Sequence, residues 1–320
     1  MSTAAPARKD FLSVLDFDVT ELERCLEIAG HVKADRSLGR QAPTADALEG
    51  RHVAMLFEKA SLRTRSTFEI AIVELGGNVV SLQPDAALGK REPVTDVARN
   101  LERWVDGIVI RTFSQKVLEE FAAAAPRLRV INALTDDQHP CQALADMLTL
   151  REQWGAVKGR TLTYVGDGNN VAVSLVHASL MLGLNIHVVS PEGYQLPDWA
   201  VQQAASISRH GARLRLFSDA KDGVAGADAV YTDTWTSMGQ EAEAVTRRSV
   251  FAPYQVNEAL MELAKPGAQF MHCLPAHRGE EVTADVFESA ASVVFDQAEN
   301  RLHVQKALLS MLLAGPIAHP

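Results

Sequence analysis

The sequence predicts an α/β fold of two doubly wound parallel-sheet domains joined by helices. The first observation is that short apolar runs alternate with amphipathic stretches along almost the whole chain. The second is that these runs are apolar at consecutive positions, which is typical of parallel strands covered by helices on both faces. The third is the length of 320 residues. At roughly 100–200 residues per domain, such a chain forms about two domains.

Ten apolar runs are the expected strands. They are His52–Phe57, Asn78–Leu82, Gly107–Ile110, Arg129–Asn132, Leu162–Val165, Ile186–Val189, Arg213–Phe217, Ala229–Thr232, Gln269–Met271 and Ser292–Phe295. Ten strands in one open sheet would be unusual, which favours two separate sheets.

The domain boundary is expected near residue 150. A helix over His139–Trp154 precedes the point at which the strands resume, so the first domain is 1–150 and the second is 151–297. The last helix, about Ala298–Leu313, is long enough to return to the first domain, and we assign 298–320 to it. Because no flexible linker is visible, we expect close packing with a cleft between the domains.

Composition excludes several classes of protein. With 31 Lys+Arg against 40 Asp+Glu the net charge is −9, which argues against broad binding to nucleic acid or an anionic membrane. The three cysteines are too few for a disulfide framework and form no CxxC pair. The N-terminus does not resemble a signal peptide, and polar residues interrupt the uncharged stretch Asn169–Pro191. A helix (about 171–182) and a strand therefore fit better there than a membrane span, and we expect a cytoplasmic protein.

The residues after each strand are the candidate site, because ligands bind beyond the carboxyl ends of strands in open α/β sheets. After the first strand, Ser61 is placed to cap a helix, with Thr64 at its third position and Arg63 beside it. The free N–H groups of such a helix suit a phosphate. An ordinary cap on a solvated basic turn explains the same residues equally well.

Two further strands of the first half end in polar residues. Arg111 closes one strand, and His139 and Gln142 flank the start of a helix after another. A neutral imidazole N–H there can donate to an oxyanion, although a structural capping histidine is the commoner reason for such a residue. Cys141 lies among apolar positions and is interpreted as a core residue.

The second half supplies three more loops. Gly166–Asn170 resembles a dinucleotide turn but lacks the G-x-G-x-x-G spacing. Asp233–Gly239 is a polar loop with one Trp, and His272-Cys273-Leu274-Pro275 follows another strand. A zinc site is rejected because no second Cys or His lies at ligand spacing. Together these loops place polar side chains at the same edge of two sheets, which predicts an active site in the interdomain cleft.

These residues, in this order, resemble the transcarbamylases. The matching elements are Ser61-Leu62-Arg63-Thr64-Arg65, Arg111, His139-Pro140-Cys141-Gln142, Asp233 with Ser237-Met238-Gly239, and His272-Cys273-Leu274-Pro275. The resemblance runs from about Phe11 to Leu313, and the last two elements mark the ornithine carbamoyltransferase branch.

The resemblance implies a role for each matched residue. It implies that Arg111, His139 and Cys273 are catalytic, and that carbamoyl phosphate is bound by Ser61, Leu62, Arg63, Thr64, Arg111, His139, Gln142, Cys273, Leu274 and Arg301. It implies that ornithine is bound by Asn170, Asp233, Ser237 and Met238. It further implies a homotrimer, or a multiple of trimers, that works without metal or organic cofactor.

Two positions depart from the family pattern. Leu62 stands where many relatives have Thr, and Ala87 stands where many have a Gln that reaches a neighbouring subunit's site. The alternatives are a sister enzyme acting on putrescine or N-acylated ornithine, a nicotinamide-dependent dehydrogenase, and a non-catalytic binding protein. The direction of metabolic flux and the identity of the general base stay open.

Overall fold

The computed structural model describes residues 10–88, 91–237 and 239–314. The chain divides into two compact units, of which unit 1 is Met1–Cys141 with Arg301–Pro320 and unit 2 is Gln142–Asn300. Each unit contains one parallel sheet with helices, which confirms the predicted fold class.

The strands closely follow the predicted apolar runs. They are β1 His52–Phe57, β2 Asn78–Leu82, β3 Gly107–Arg111, β4 Arg129–Leu134, β5 Thr161–Val165, β6 Asn185–Val189, β7 Leu214–Phe217, β8 Ala229–Thr232 and β9 Gln269–His272.

The α-helices of the described chain connect and cover these strands. They are α1 Val19–Ala34, α2 Leu62–Glu74, α3 Pro84–Ala87, α4 Val94–Leu101, α5 Gln115–Ala124, α6 Pro140–Trp154, α7 Asn170–Met181, α8 Asp198–Ile207, α9 Ala220–Val224, α10 Ala244–Phe251, α11 Glu258–Met261, α12 Ala284–Phe287 and α13 Val294–Leu313. None of them is long and apolar enough to cross a lipid bilayer.

Unit 1 has the strand order β2-β1-β3-β4. Every residue of β3 is buried, because helices cover both faces of this inner strand. Leu118 and Phe121 of α5 pack into the same apolar cluster as Val97 and Leu101 of α4. The chain proceeds from β1 outward to β2 and then returns to β3 on the other side. This reversal opens a crevice beyond the carboxyl ends of β1 and β3.

Unit 2 has the strand order β7-β6-β5-β8-β9, with the same kind of reversal between β5 and β8. Helix α7 is buried from Val171 to Met181, which explains why its sequence is apolar on all sides. The loops after β5 and β8 therefore meet at a second crevice.

One predicted strand is wrong. Ser292 makes only an isolated bridge with Phe270, and Val294 already begins α13. Two backbone hydrogen bonds, from Phe270 to Ala291 and from Val293 to Phe270, hold this short contact. The apolar residues at 293–295 thus start a helix four residues earlier than expected.

Candidate active site

Helix α2 begins directly beyond β1, at the crevice of unit 1. Ser61 occupies the predicted cap position with extended backbone, at φ −160° and ψ 108°. The cap position is confirmed, although the hydroxyl makes no capping hydrogen bond. Leu62 follows with 78% of its surface exposed, and Arg63 is half-buried.

Two arginines converge on Thr64 in the first turn of this helix. Arg111, the last residue of β3, donates from Nη1 to the Thr64 hydroxyl at 3.4 Å. Arg301 of α13 donates from Nη2 to the same oxygen at 3.0 Å. All three side chains are buried. Two guanidinium groups and a helix N-terminus therefore concentrate positive charge in one small volume.

His139 lies beside these cations, just before α6. Burial, together with the charges of Arg301 and Arg111, holds the pKa of the imidazole well below its ordinary value. The ring is consequently neutral at neutral pH and keeps one N–H as a donor. Cys141 is a core residue, as predicted: burial raises its pKa to about 12, and its thiol donates to the Asn132 carbonyl at 3.3 Å.

Asp233 is the centre of the site in unit 2. It follows β8, is buried, and accepts hydrogen bonds from Asn169 Nδ2 and from the Cys273 thiol, both at 2.9 Å. Asn169 Oδ1 in turn accepts the N–H groups of Val171 and Ala172, so this residue caps α7.

Asn169, and not the predicted Asn170, is bonded to Asp233. Asn170 is the first residue of α7 and is half-buried, while Asn169 makes the bond to the carboxylate. Its position in the sequence could have identified it, because an Asn directly before an apolar helix is a strong N-cap candidate.

The Cys273 thiol is protonated at neutral pH. Burial and the carboxylate of Asp233 raise the pKa of the thiol well above its ordinary value. Tyr231 pairs in register with Tyr164 on β5, and their ring centroids are 5.7 Å apart. Neither tyrosine was singled out from the sequence, because each reads as an ordinary apolar strand residue.

His272 fixes the loop that follows Cys273. Its Nδ1 accepts the N–H of Leu274 at 2.8 Å, so the ring proton lies on Nε2, which faces Glu281 Oε1 at 3.2 Å. Glu281 is fully buried, and hydrogen bonds from His272 and the His277 backbone outweigh burial and lower its pKa. The bond from Leu274 supports a backbone φ of 61°, which is unusual for a residue with a side chain.

These bonds also bear on the metal question. Asp233, His272 and Cys273 each have a ligand atom within 4.8 Å of the others. Both ring nitrogens of His272 are nevertheless engaged in hydrogen bonds, so the imidazole has no free lone pair for a cation. The donor set does not fit a zinc site.

Gln142 belongs to a buried chain of hydrogen bonds within unit 2. Its amide donates to Asp146 Oδ1 at 2.8 Å, and Gln297 donates to the same oxygen at 2.9 Å. The N–H of His272 then donates to Gln297 Oε1 at 2.9 Å. Asp146 and Gln297 were missed, although Asp146 lies one helical turn after Gln142.

The loop that contains Ser237 is tied to the turn after β5. Arg247 is buried and donates to Asp167 at 2.7 Å and to the Trp235 carbonyl at 2.9 Å. The Ser237 N–H donates to Gln240 at 3.1 Å. The adjacent Met238 lies outside the described residues.

The glycine-rich turn Gly166–Asn170 serves close packing. A Cβ on Gly168 would lie 2.3 Å from the backbone of Gln195 and Leu196, and its N–H donates to the Tyr194 carbonyl at 2.8 Å. This contact explains the glycine without a dinucleotide.

Six of the predicted residues thus fall into two groups, one in each unit. Unit 1 brings together Thr64, Arg111, His139 and Arg301, which suit a dianion and an oxyanion developing beside it. Unit 2 joins Asp233 to Cys273, which suits a cationic amine.

Comparison with known proteins agrees with this division. Residues 9–152 match the family profile described as aspartate/ornithine carbamoyltransferase, carbamoyl-P binding domain. Residues 158–312 match the profile described as the Asp/Orn binding domain of the same family.

Several relatives match over nearly their whole length. The ornithine carbamoyltransferase of Thermosynechococcus vestitus is 49% identical over 95% of this chain and 96% of its own. That of Thermococcus kodakarensis is 49% identical over 97% and 98%. The solved structure of the Pyrococcus furiosus ornithine carbamoyltransferase superimposes with a TM-score of 0.91 at 46% identity, covering 97% of this chain and 99% of that one. In sequence and in fold, the chain belongs to the aspartate/ornithine carbamoyltransferase family.

Proposed function

We propose that this protein transfers the carbamoyl group of carbamoyl phosphate to the δ-amine of L-ornithine, giving L-citrulline and phosphate. The observation that carries the proposal is the convergence of Arg111 and Arg301 on Thr64 at the start of α2. The ornithine carbamoyltransferases to which the chain is similar support the choice of amine.

Carbamoyl phosphate is assigned to the cluster of unit 1. The backbone N–H groups at the start of α2, with the side chains of Ser61, Arg63 and Thr64, hold the phosphate, and Leu62 contributes through its backbone. Replacement of the usual Thr by Leu62 is tolerable because its side chain points largely to solvent. The arginines also stabilise the phosphate that departs.

Attack on the carbamoyl carbon creates a tetrahedral oxyanion. Thr64, Arg111 and the neutral imidazole of His139 donate to this oxygen, while Gln142 contacts the carbamoyl nitrogen. Arg301, which donates a hydrogen bond to Thr64, also contacts the carbamoyl group. Because each donor is fixed before the reaction, loss of one costs about 10²–10³ in rate.

Ornithine is assigned to the loops of unit 2. Asp233, Ser237, Met238 and Asn170 hold its amino-acid head, and Cys273 and Leu274 line the reacting centre. The δ-amine must lose a proton before it attacks. The protonated Cys273 thiol does not accept that proton directly, so its role is to orient the amine through its link with Asp233.

The domains and assembly follow the family. In this proposal residues 1–150 with 298–320 bind carbamoyl phosphate, residues 151–297 bind ornithine, and the protein works in the cytoplasm. A homotrimer, or a multiple of one, accounts for the exposed apolar face of α2, where Ile70 is 41% and Val73 58% exposed. Ala87 is buried in its own subunit's core, so its side chain does not replace the Gln of relatives.

The test is citrulline formation from carbamoyl phosphate and ornithine. Arg111→Ala should lower kcat/KM by at least about 10²-fold, while Arg103→Ala, an exposed residue outside the cluster, should leave it unchanged. Chelators should have no effect, since no metal takes part. Putrescine or N-acetylornithine reacting as fast as ornithine would contradict the assignment of substrate.

A further inference from the structure

A second concave site lies in unit 2, at the amino ends of β5, β6 and β7. This is the edge of the sheet opposite to the loops that carry Asp233 and Cys273. The cavity measures about 370 Å³ and is lined by Thr161, Asn185, His187, Gly211, Arg213 and Arg215. Its volume is that of a pocket for a small metabolite, typically about 300–1,000 Å³.

The strand register brings these side chains onto one face of the sheet. Thr161 pairs with Asn185, and His187 pairs with Arg215. Residues two apart on a strand share a face, so Arg213 and Arg215 project on the same side as the other three. Helix α9 covers this face further along, where Gly223 accepts a hydrogen bond from His187 at 2.9 Å.

The two arginines of the cavity have no acidic partner among the described residues. The ion pairs of unit 2 involve other cations, among them Arg160 and Lys265, which both bind Asp228. Asp228, which also accepts the Thr161 N–H, is therefore already neutralised. In a chain with a net charge of −9, two exposed guanidinium groups without a carboxylate form a local basic site.

Hydrogen bonds fix the backbone that carries the arginines. The turn before β7 is closed by hydrogen bonds from Ser208 Oγ to the Ala212 carbonyl at 2.6 Å and from the Arg209 N–H to the Leu180 carbonyl at 3.0 Å. Asn185 Oδ1 accepts the N–H of Arg213 at 3.1 Å. The backbone at the start of β7 is thus fixed before any ligand binds.

We propose that this cavity binds a small anion bearing phosphate groups. Two residues along a strand separate Arg213 from Arg215 by about 6–7 Å, which lets both guanidinium groups contact one pyrophosphate-sized ligand. Guanidinium is the side chain best matched to phosphate oxygens, and Thr161 supplies a hydroxyl beside it. The site is independent of the proposed carbamoyl transfer.

Calorimetric titration with inorganic pyrophosphate tests the proposal. It is done in the Arg111→Ala background, which weakens anion binding at the candidate active site. Adding Arg213→Ala and Arg215→Ala should weaken binding at least about tenfold. The matched control, Arg99→Ala with Arg103→Ala, removes the same charge elsewhere and should have no effect.

Three outcomes overturn the proposal: no pyrophosphate binding to the Arg111→Ala protein, equal binding after loss of Arg213 and Arg215, or equal weakening by the control pair. Thermal melting checks that the variants are folded, and the milder Arg215→Gln keeps the test valid if the double change disturbs the sheet edge. Citrulline formation by the cavity variant with Arg111 intact should equal that of the unaltered protein, because none of its changed residues belongs to the proposed catalytic cluster.

Discussion

At the scale of single residues, the charge state of each group decides what it can do. His139 is neutral because burial and two cations disfavour its protonation, and Cys273 is neutral because burial and a carboxylate disfavour its ionisation. One group therefore donates from an uncharged N–H, and the other from an uncharged S–H. Neither state is visible in the sequence, because each depends on neighbours that are distant along the chain.

Cys273 should alkylate slowly with iodoacetamide, because only the thiolate reacts. Asp233→Asn removes the nearest negative charge, so it should lower the thiol pKa and speed alkylation at a given pH. Peptide mass spectrometry over a pH series measures the rate. Asp219→Asn, which keeps a helix cap on an exposed loop, is the control. If Asp233→Asn leaves the rate unchanged, the carboxylate does not govern the thiol.

At the scale of elements, a predicted strand formed where its apolar run has a hydrogen-bonded neighbouring strand. The nine confirmed strands are apolar runs with hydrogen-bonded neighbours along their length. The run at 292–295 looks similar in sequence, but only one bridge forms before α13 begins. A short apolar run indicates that the segment is buried. Whether it forms a strand or a helix depends on whether a neighbouring strand is available to pair with it.

Part of the candidate site was predictable from the sequence, and part was not. Residues with a polar group at a strand end, such as Arg111 and Asp233, were found because parallel topology places those ends together. Asp146 and Gln297 were not, because a buried hydrogen-bond chain joins residues 151 positions apart. The membership in the carbamoyltransferase family, inferred from motifs, is confirmed.

Gly168→Ala tests the turn after β5. The added Cβ would press on the backbone of Gln195 and Leu196, and relief requires the turn to move. Overpacking of this kind costs about 1–3 kcal/mol. We expect a lower melting temperature and, because Asn169 moves with the turn, a raised KM for ornithine. Gly30→Ala, in α1, is the matched contrast: like Gly168 it lacks a positive φ, but a Cβ there meets open space. An ornithine KM equal to that of the unaltered protein would show that the turn is not needed to place Asp233.

At the scale of the whole molecule, buried neutral histidines make stability depend on pH. Burial lowers the pKa of His177 to about 4. Below about pH 6.5 the unfolded chain takes up a proton that the folded one does not, so stability is full above that pH and falls as pH approaches 4. The shift corresponds to about 3 kcal/mol at most.

Melting temperatures measured between about pH 7.5 and 4.5 check this sign. The melting temperature should fall on acidification. The melting temperature of His177→Gln should fall less steeply with pH than that of the unaltered protein, whatever the two values are at about pH 7.5. His31→Gln, at an exposed position of α1, should follow the unaltered slope. Parallel curves for all three proteins would remove His177 as a cause.

The division of unit 1 into two stretches of chain has a consequence for synthesis. Arg301 belongs to the same unit as Thr64 and Arg111 but is separated from them by all of unit 2. During translation, residues up to Cys141 emerge first, and unit 1 is incomplete until Arg301–Pro320 has been synthesised. Unit 2 is continuous and can fold as it emerges. Arg301, the second guanidinium of the proposed phosphate site, is therefore the last part to be synthesised. A nascent chain released before α13 would contain every strand and yet lack an assembled anion site.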